Sequence, residues 1–302
     1  MEYFFQNVLN ALQWGSFYAL IALGYTLVYG VLSLINFAHG DIFMVGAYVA
    51  YFAATMFLGE VGLGPGVTLA LIVPLTMLAT ACVGVALERI AYRPLRRKGA
   101  HRLYVVITAL MCGLILENGN LALLGASRKS FPELVPTTVY AFAGLSVTNL
   151  KLAVIATAVA AFAVLHFIVT KTKIGLAMRG IAWDSFAIPL MGVPPDRIIV
   201  FTFILGSGMA GLAGVMFAMA YPVLEPYMGA LIGWKAFIAA VIGGIGDIRG
   251  AFLGGFLLAF LEIGVAAVFP STMRDLIAFS VLLVFMWQRP TGVFGVARNQ
   301  KI

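Results

Sequence analysis

Two acidic residues lie inside long apolar segments, where a charged side chain is costly. Glu117 follows Leu114-Ile115-Leu116, and Glu262 follows Ala259-Phe260-Leu261. A carboxylate in the hydrocarbon of a membrane costs on the order of a few kcal/mol, so it normally faces a partner or a water-filled cavity. Three roles are open from this pattern: lining a translocation path, carrying protons, or joining helices through hydrogen bonds.

Catalytic motifs are absent from the sequence. It contains no G-x-x-x-x-G-K-[ST] phosphate loop, no H-E-x-x-H zinc motif and no G-x-S-x-G nucleophile motif. The three histidines, His39, His101 and His166, are widely spaced and have no neighbouring ligand cluster. We therefore expect no enzyme activity and no bound metal or cofactor, and any use of ATP must come from another chain.

The composition places these residues in a membrane protein. The 302 residues are 62% hydrophobic and only 10% charged, whereas about a quarter of the residues of a soluble domain are charged. So few charges cannot cover a globule in water. The sequence therefore predicts an all-α, polytopic bundle of transmembrane helices in one domain, residues 1–302.

Nine apolar runs are candidates for spans, since about 20 apolar residues cross the hydrocarbon. They are approximately 8–29, 42–58, 67–87, 103–124, 152–169, 198–220, 232–245, 251–269 and 276–287. The run at 232–245 is short enough to be re-entrant, which leaves eight or nine spans.

The positions of the basic residues predict the orientation of these spans in the membrane. With the N-terminus outside, the outer face holds five of them: Arg128, Lys129, Lys151, Lys235 and Arg274. The other 14 of the 19 Lys and Arg residues then lie inside, as the positive-inside rule requires. We expect a multi-pass protein of the bacterial inner membrane, with a periplasmic N-terminus and a cytoplasmic C-terminus.

A polar segment, residues 171–197, lies on the predicted cytoplasmic side. Small and apolar residues alternate there with a few charges, and Gly192 with Pro194-Pro195 ends the run. The pattern is typical of a short amphipathic helix over about Leu176–Met191, bent or shortened by Pro189. Two roles are open: an interfacial helix resting in lipid headgroups, or a docking helix for a cytoplasmic partner.

Two further patterns concern helix packing and helix starts. Gly246, Gly250 and Gly254 recur every four residues, which predicts one helix face where a second backbone approaches closely. Gly40-Asp41-Ile42 and Gly246-Asp247-Ile248 each open an apolar run, and Asp is a favourable N-cap. The two triplets indicate either independent helix starts or an internal repeat.

Several blocks resemble the branched-chain amino acid ABC permeases, most closely the LivH-type subunit. The blocks are Gly15–Gly24, Tyr29–Val31, Ile35–Asp41, Gly175–Gly192, Lys235–Gly246 and Arg289–Gly295. The resemblance covers nearly the whole chain. Relatives often carry a second acidic residue in the middle of the 175–192 block, where this chain has Asp184 alone.

The resemblance implies partners and a mechanism. Such permeases work by alternating access with a second, LivM-like membrane subunit, two cytoplasmic ATPase subunits and a periplasmic binding protein. It favours docking to an ATPase through a coupling segment that includes Leu176, Arg179, Ala182, Asp184, Met191 and Gly192.

The implied solute is a branched-chain or related hydrophobic amino acid, whose zwitterion needs polar groups on its path. Asn36, Glu117, Asn118 and Glu262 are the candidates for those groups. Urea or a short amide is an alternative solute within the same superfamily. A gradient-driven secondary transporter is the alternative of a different class.

Overall fold

The computed structural model describes residues 2–142, 145–184 and 186–295. Its helices are α1 (Glu2–Leu32), α2 (His39–Thr55), α3 (Pro65–Leu87), α4 (Arg93–Arg97), α5 (Arg102–Leu124), α6 (Asn149–Lys171), α7 (Lys173–Trp183), α8 (Ala187–Leu190), α9 (Pro195–Ala220), α10 (Met228–Gly243), α11 (Ile248–Val268) and α12 (Arg274–Gln288). Single π-helical turns, Met56–Glu60 and Glu88–Tyr92, extend α2 and α3, and a 3-10 turn, Ser271–Met273, precedes α12. The predicted all-α, polytopic class is confirmed.

Helix starts follow local chemistry. The Thr148 hydroxyl accepts a hydrogen bond from the Lys151 N–H at the start of α6, and Thr172 does the same for Gly175 in α7. α3 and α9 each begin at a proline, whose missing N–H would have no partner in the first turn. Capping thus fixes where the apolar segments enter the helical bundle.

Each of the nine apolar runs forms a helix, and seven of these are long enough to cross a membrane. They are Glu2–Leu32, His39–Glu60, Pro65–Arg97, Arg102–Leu124, Asn149–Lys171, Pro195–Ala220 and Ile248–Val268. α10 and α12 are shorter, at 16 and 15 residues. At 1.5 Å per residue they reach about 24 Å and 22 Å, less than the hydrocarbon thickness of roughly 30 Å.

Short strands mark one end of the bundle. β1 (Lys129–Ser130) pairs antiparallel with β4 (Val223–Leu224), and β2 (Val139–Phe142) pairs with β3 (Leu145–Thr148). The Gln6 side chain near the start of α1 exchanges two hydrogen bonds with the Ser146 backbone. The N-terminal turn of α1 therefore lies at this strand end.

The segment after α12 lies at the opposite end. Its Val293 N–H donates to the Ile242 carbonyl at 2.8 Å, in the last turn of α10. The adjacent turn reaches the end of α1, where a Cβ at Gly30 would lie 3.3 Å from the Gly246 carbonyl oxygen. The two ends of the described chain are therefore on opposite faces, as an odd number of crossings requires.

The core forms around α1 and α9, which are buried along most of their length. Helix α11 packs so closely on α1 that a Cβ at Gly255 would lie 2.5 Å from the Ala19 backbone nitrogen. Glycine is needed there because van der Waals packing between backbones drives helix association in lipid. Helices α2 and α10 complete this core, and α3, α5, α6 and α12 present large apolar side chains outward.

Candidate translocation site

A buried ion pair joins α10 to α11. Lys235 Nζ lies 3.1 Å from Glu262 Oε1, and the two residues are 5% and 3% exposed. The hydroxyl of Tyr18 in α1 donates to Glu262 Oε2 at 2.9 Å. Both carboxylate oxygens of Glu262 therefore face a donor or a positive charge, which offsets the cost of its burial.

Lys235 also reaches α12. Its Nζ lies 2.8 Å from Asp275 Oδ1, and Arg274 Nε lies 3.2 Å from the same oxygen. Lys235 was expected on the outer face together with Arg274; the structure buries it inside α10, in one network with Arg274. The ammonium is held there by carboxylates from α11 and α12, which the local sequence of α10 cannot reveal.

A cavity of about 590 Å³, which we call the Lys235 cavity, opens beside this network. Four charged side chains line it: Lys235 and Arg274, and Glu225 and Glu262. Much of the remaining wall is aromatic or aliphatic, from Trp14, Tyr18, Phe217, Tyr227, Met228, Leu231 and Trp234. A mainly apolar wall with a few polar groups is the usual composition of a small-molecule site.

A second cavity of about 330 Å³, which we call the Asp41 cavity, lies on the other side of the first turns of α10. Ala230 and Trp234 line both cavities. Asp41 in α2 and Glu117 in α5 bring two carboxylates to its wall. Its other lining residues include Tyr25, Phe37, Leu110, Met111 and Leu114.

Asp41 is the residue that sequence reasoning misplaced. It was expected as an N-cap, but the N-cap position of α2 is Ala38, and no side chain caps that helix. Asp41 is 6% exposed, and its Oδ1 atom has no hydrogen-bond partner among the described residues. The matching prediction for Asp247 is confirmed, since its side chain accepts hydrogen bonds from the N–H groups of Arg249 and Gly250.

The four predicted path residues lie in separate places. Glu262 lines the Lys235 cavity, and Glu117 lines the Asp41 cavity. Asn36 is buried in the turn before α2, where its Oδ1 accepts a hydrogen bond from the Tyr92 hydroxyl at 2.7 Å. Asn118 is exposed and donates to the Leu114 carbonyl of its own helix. The structure therefore brings Glu117 and Glu262 to two neighbouring cavities, and Asn36 and Asn118 to neither lining.

The predicted coupling segment forms two short helices instead of one. α7 ends at Trp183 and α8 begins at Ala187, and the Asp184 carboxylate accepts hydrogen bonds from the Phe186 and Ala187 N–H groups between them. The break thus precedes Pro189, because the aspartate caps a new turn. Ser185, inside this segment, lies outside the described residues.

One side of the coupling segment is buried and the other is open. Met178, Ile181 and Ile188 pack into a cluster with residues of α1 and α9. The exposed large apolar side chains of α7, α8 and the residues beside them include Leu176, Trp183, Phe186, Leu190 and Met191, and Trp183 is 88% exposed. Arg179 donates to the Thr170 carbonyl, Gly192 ends the segment with φ +78°, and Ala182 lines a small cavity beside Trp183.

An ionic cluster ties the end of α3 to the start of α9. Glu88 is fully buried and binds Arg93 at 2.8 Å and Arg96 at 3.1 Å. Arg96 and Arg97 also bind Asp196, in the first turn of α9, at 2.6 and 2.9 Å. The most basic part of the chain therefore joins the end of α3 to the start of α9 through ion pairs.

Of the three glycines expected on one helix face, two lie in α11. A Cβ at Gly250 or Gly254 would overlap the backbone of α10, at the carbonyls of Gly243 and Ala239. Gly246 precedes the helix and has φ +102°, a conformation that side chains rarely adopt. The expected face therefore consists of Gly250 and Gly254 only.

The chain matches the profile of the family described as "Branched-chain amino acid transport system / permease component" over residues 7–286. It is 36% identical to the high-affinity branched-chain amino acid transport system permease protein BraD of Pseudomonas aeruginosa, over 99% of this chain and 98% of the relative. It is also 36% identical to LivH of Escherichia coli K12, with the same coverage, and 27% identical to a probable LivH of Methanocaldococcus jannaschii, over 95% and 91% of the two chains.

No solved structure matches the chain. The relatives are permease proteins of transport systems and not enzymes, in agreement with the absence of catalytic motifs. Their full-length similarity and the apolar helices together place the protein in a membrane as a multi-pass subunit. The chain therefore belongs to the family of branched-chain amino acid transport system permease components.

Proposed function

We propose that the protein is the permease subunit of an ATP-driven ABC importer that carries branched-chain amino acids across the bacterial inner membrane. The observation that carries this proposal is the similarity over 99% of the chain to permeases named for that transport. A hydrophobic amino acid combines an apolar side chain with two charges. Cavities with mainly apolar walls and a few charged groups suit such a solute.

The path that we propose runs along the two cavities beside the first turns of α10. Trp234 and Ala230 belong to both walls, so a solute that leaves the Lys235 cavity around this turn enters the Asp41 cavity. α10 is short, with 16 residues, and residues of its first turns line the Lys235 cavity. Movement of α10 against α2 and α12 would open the cavities in turn, in the manner of alternating access.

The partners follow from the same proposal. The exposed apolar side chains of α7 and α8, together with Met191, would dock on a cytoplasmic ATPase subunit. This places the strand end and the N-terminus on the periplasmic side, where a binding protein delivers the solute. The outward apolar faces of α5 and α12 leave surface for a second, LivM-like membrane subunit.

The test is uptake of labelled leucine and labelled urea into proteoliposomes. We expect ATP-dependent leucine uptake by the complete complex with its binding protein, and none by this chain alone. The matched control is the complete complex with a non-hydrolysable ATP analogue inside. Urea uptake would change the solute class, and leucine flux by this chain alone without ATP would overturn the importer mechanism in favour of a gradient-driven carrier.

A further inference from the structure

We infer that Asp41 and Glu117 form a binding site for the ammonium group of the amino acid in transit. The inference rests on the proposed function and adds to it the position at which the cationic end of the solute is held. The sequence indicated Glu117 as a candidate group for the zwitterion, but Asp41 resembled a helix cap, and nothing in the spacing brought the two residues together. The site follows from the cavity that the two carboxylates share.

Asp41 lines this cavity and has an unfilled bonding capacity. The residue is 94% buried, as its exposed fraction is 6%, and Oδ1 has no hydrogen-bond partner among the described residues. A buried carboxylate oxygen without a donor is costly, and in membrane helices such a group normally faces a partner or a polar cavity. A donor supplied by the solute would remove that cost.

Two glycines keep the space around the carboxylate open. A Cβ at Gly113 of α5 would lie 2.6 Å from Asp41 Oδ2, and a Cβ at Gly229 of α10 would lie 2.9 Å from Oδ1. Both glycines line the Asp41 cavity. Any larger residue at these two positions would close on the carboxylate, so glycine keeps side-chain carbon away from both of its oxygens.

The charge of the cavity selects a cation. Asp41 and Glu117 are both acidic, and no Lys, Arg or His is among the described residues that line this cavity. Asp41 lies in the first turn of the 17-residue helix α2, where the helix dipole favours a negative charge. Two ionised carboxylates in one cavity repel each other, and a cation between them relieves that repulsion.

The rest of the wall selects an alkylammonium over a hydrated metal ion. Leu110, Met111 and Leu114 offer apolar contact for a branched side chain, and Phe37 and Trp234 offer aromatic surface that attracts cations. A volume of about 330 Å³ is at the small end of ligand cavities. The neighbouring Lys235 cavity carries two basic and two acidic groups, so its charged groups balance, whereas those of the Asp41 cavity are both acidic.

The experiment tests binding of the ammonium group and of the carboxylate group of the solute with two separate probes. The assembled transporter in lipid nanodiscs, without its binding protein, is titrated with isopentylamine, which has leucine's branched chain and no carboxylate. The matched probe is 4-methylpentanoate, which has the carboxylate and no ammonium. Saturation-transfer NMR of the methyl groups reports binding of each probe, with empty nanodiscs as the correction for partition into lipid.

We expect Asp41→Asn to weaken isopentylamine binding by about tenfold or more and to leave 4-methylpentanoate binding unchanged. Glu117→Gln, at a half-buried position that tolerates the change, gives a smaller loss in the same direction. Glu60→Gln, an exposed acidic residue at the far end of α2, is the matched control and changes neither probe.

The inference is overturned if wild type does not bind the amine, if Asp41→Asn and Glu117→Gln bind it as well as wild type, or if Na⁺ displaces it at physiological concentration. If Asp41→Asn loses the binding of both probes equally, the fold is damaged. The result for Glu117→Gln then decides whether the inference holds: selective loss of amine binding supports it, and unchanged amine binding overturns it. Leucine uptake by the same wild-type preparation keeps the two proposals apart. Uptake without an Asp41-dependent amine site refutes this inference alone, whereas an amine site without leucine uptake refutes the proposed function.

Discussion

Each of the two cavities beside α10 contains a buried carboxylate, and the two carboxylates differ in their partners. Glu262 lies next to Lys235 at 3.1 Å and accepts a hydrogen bond from Tyr18 at 2.9 Å. Glu262 Oε1 has Lys235 beside it but no hydrogen bond, whereas Asp41 Oδ1, almost as deeply buried, has neither a hydrogen bond nor an ion pair among the described residues. Trp234 lies on the wall of both cavities, so the two carboxylates differ in their partners although their cavities are neighbours.

This difference separates a charge that holds the fold from a charge that is open to a ligand. The Glu262 network joins α1, α10, α11 and α12, and removing one of its members leaves another charge uncompensated. Within the described part of the chain, no side-chain hydrogen bond or ion pair links Asp41 Oδ1 to another helix, and glycines keep side chains away from the carboxylate. A buried carboxylate therefore stabilises the bundle in one cavity and leaves a bonding site in the other.

The largest effect that we expect comes from Lys235→Met. The substitution keeps the apolar volume but leaves Glu262 buried without its positive partner, and breaking a buried pair in this way costs about 3 kcal/mol. The free energy of unfolding, measured by titration with SDS, should fall by that amount. The double variant Lys235→Met with Glu262→Gln is the matched control and should recover more than half of the loss. A single variant as stable as wild type would contradict the structural role of this network.

A smaller effect is expected from Gly113→Ala, which adds a methyl group 2.6 Å from Asp41 Oδ2. Overpacking of this kind costs about 1–3 kcal/mol, and here it would also narrow the Asp41 cavity. We expect ATP-dependent leucine uptake by the complete complex to fall several-fold. Gly119→Ala in the same helix α5 is the control, because a Cβ there meets nothing within 4 Å. Equal uptake by the two variants would show that the cavity is not on the path.

Much of the fold could be predicted from the sequence, because membrane spans are local features. Each of the nine apolar runs became a helix, and the depth of Glu262 was visible from its neighbours in the chain. The shortness of α10 was also apparent, since its run is interrupted by glycines. Hydrophobic length is a property of one segment, so it needs no knowledge of the others.

The sites could not be predicted in the same way, because they depend on contacts between distant segments. Tyr18 and Glu262 are 244 residues apart, and Lys235 and Asp275 are 40 apart. The sequence places Lys235 inside the apolar run 232–245, but nothing near it identifies the carboxylates of α11 and α12 that pair with it. Asp41 was read as a helix cap because a Gly-Asp-Ile triplet opens its run, but α2 begins two residues earlier, at His39.

The prediction of a single helix in the coupling segment was wrong for a local reason, which attention to capping residues could have identified. The Asp184 carboxylate accepts hydrogen bonds from the N–H groups two and three residues later, and a new helix starts there. The amphipathic pattern of 173–191 runs through this position without interruption, so periodicity alone predicted one helix. A capping residue inside an amphipathic run therefore indicates a helix boundary even where the hydrophobic period continues.

The smallest effect on stability is expected from Asp41→Asn, and this variant tests the comparison most directly. Replacing Asp41 by its neutral amide removes a buried charge that has no donor at Oδ1, so the free energy of unfolding should stay within about 1 kcal/mol of wild type or rise. The same change at Glu262 should lower it by about 1–2 kcal/mol, because Glu262→Gln weakens bonds to Lys235 and Tyr18. Unfolding both variants in SDS gives the two values side by side. If Asp41→Asn lost as much stability as Glu262→Gln, the Asp41 carboxylate would already be satisfied inside the chain, and no bonding capacity would remain for a solute.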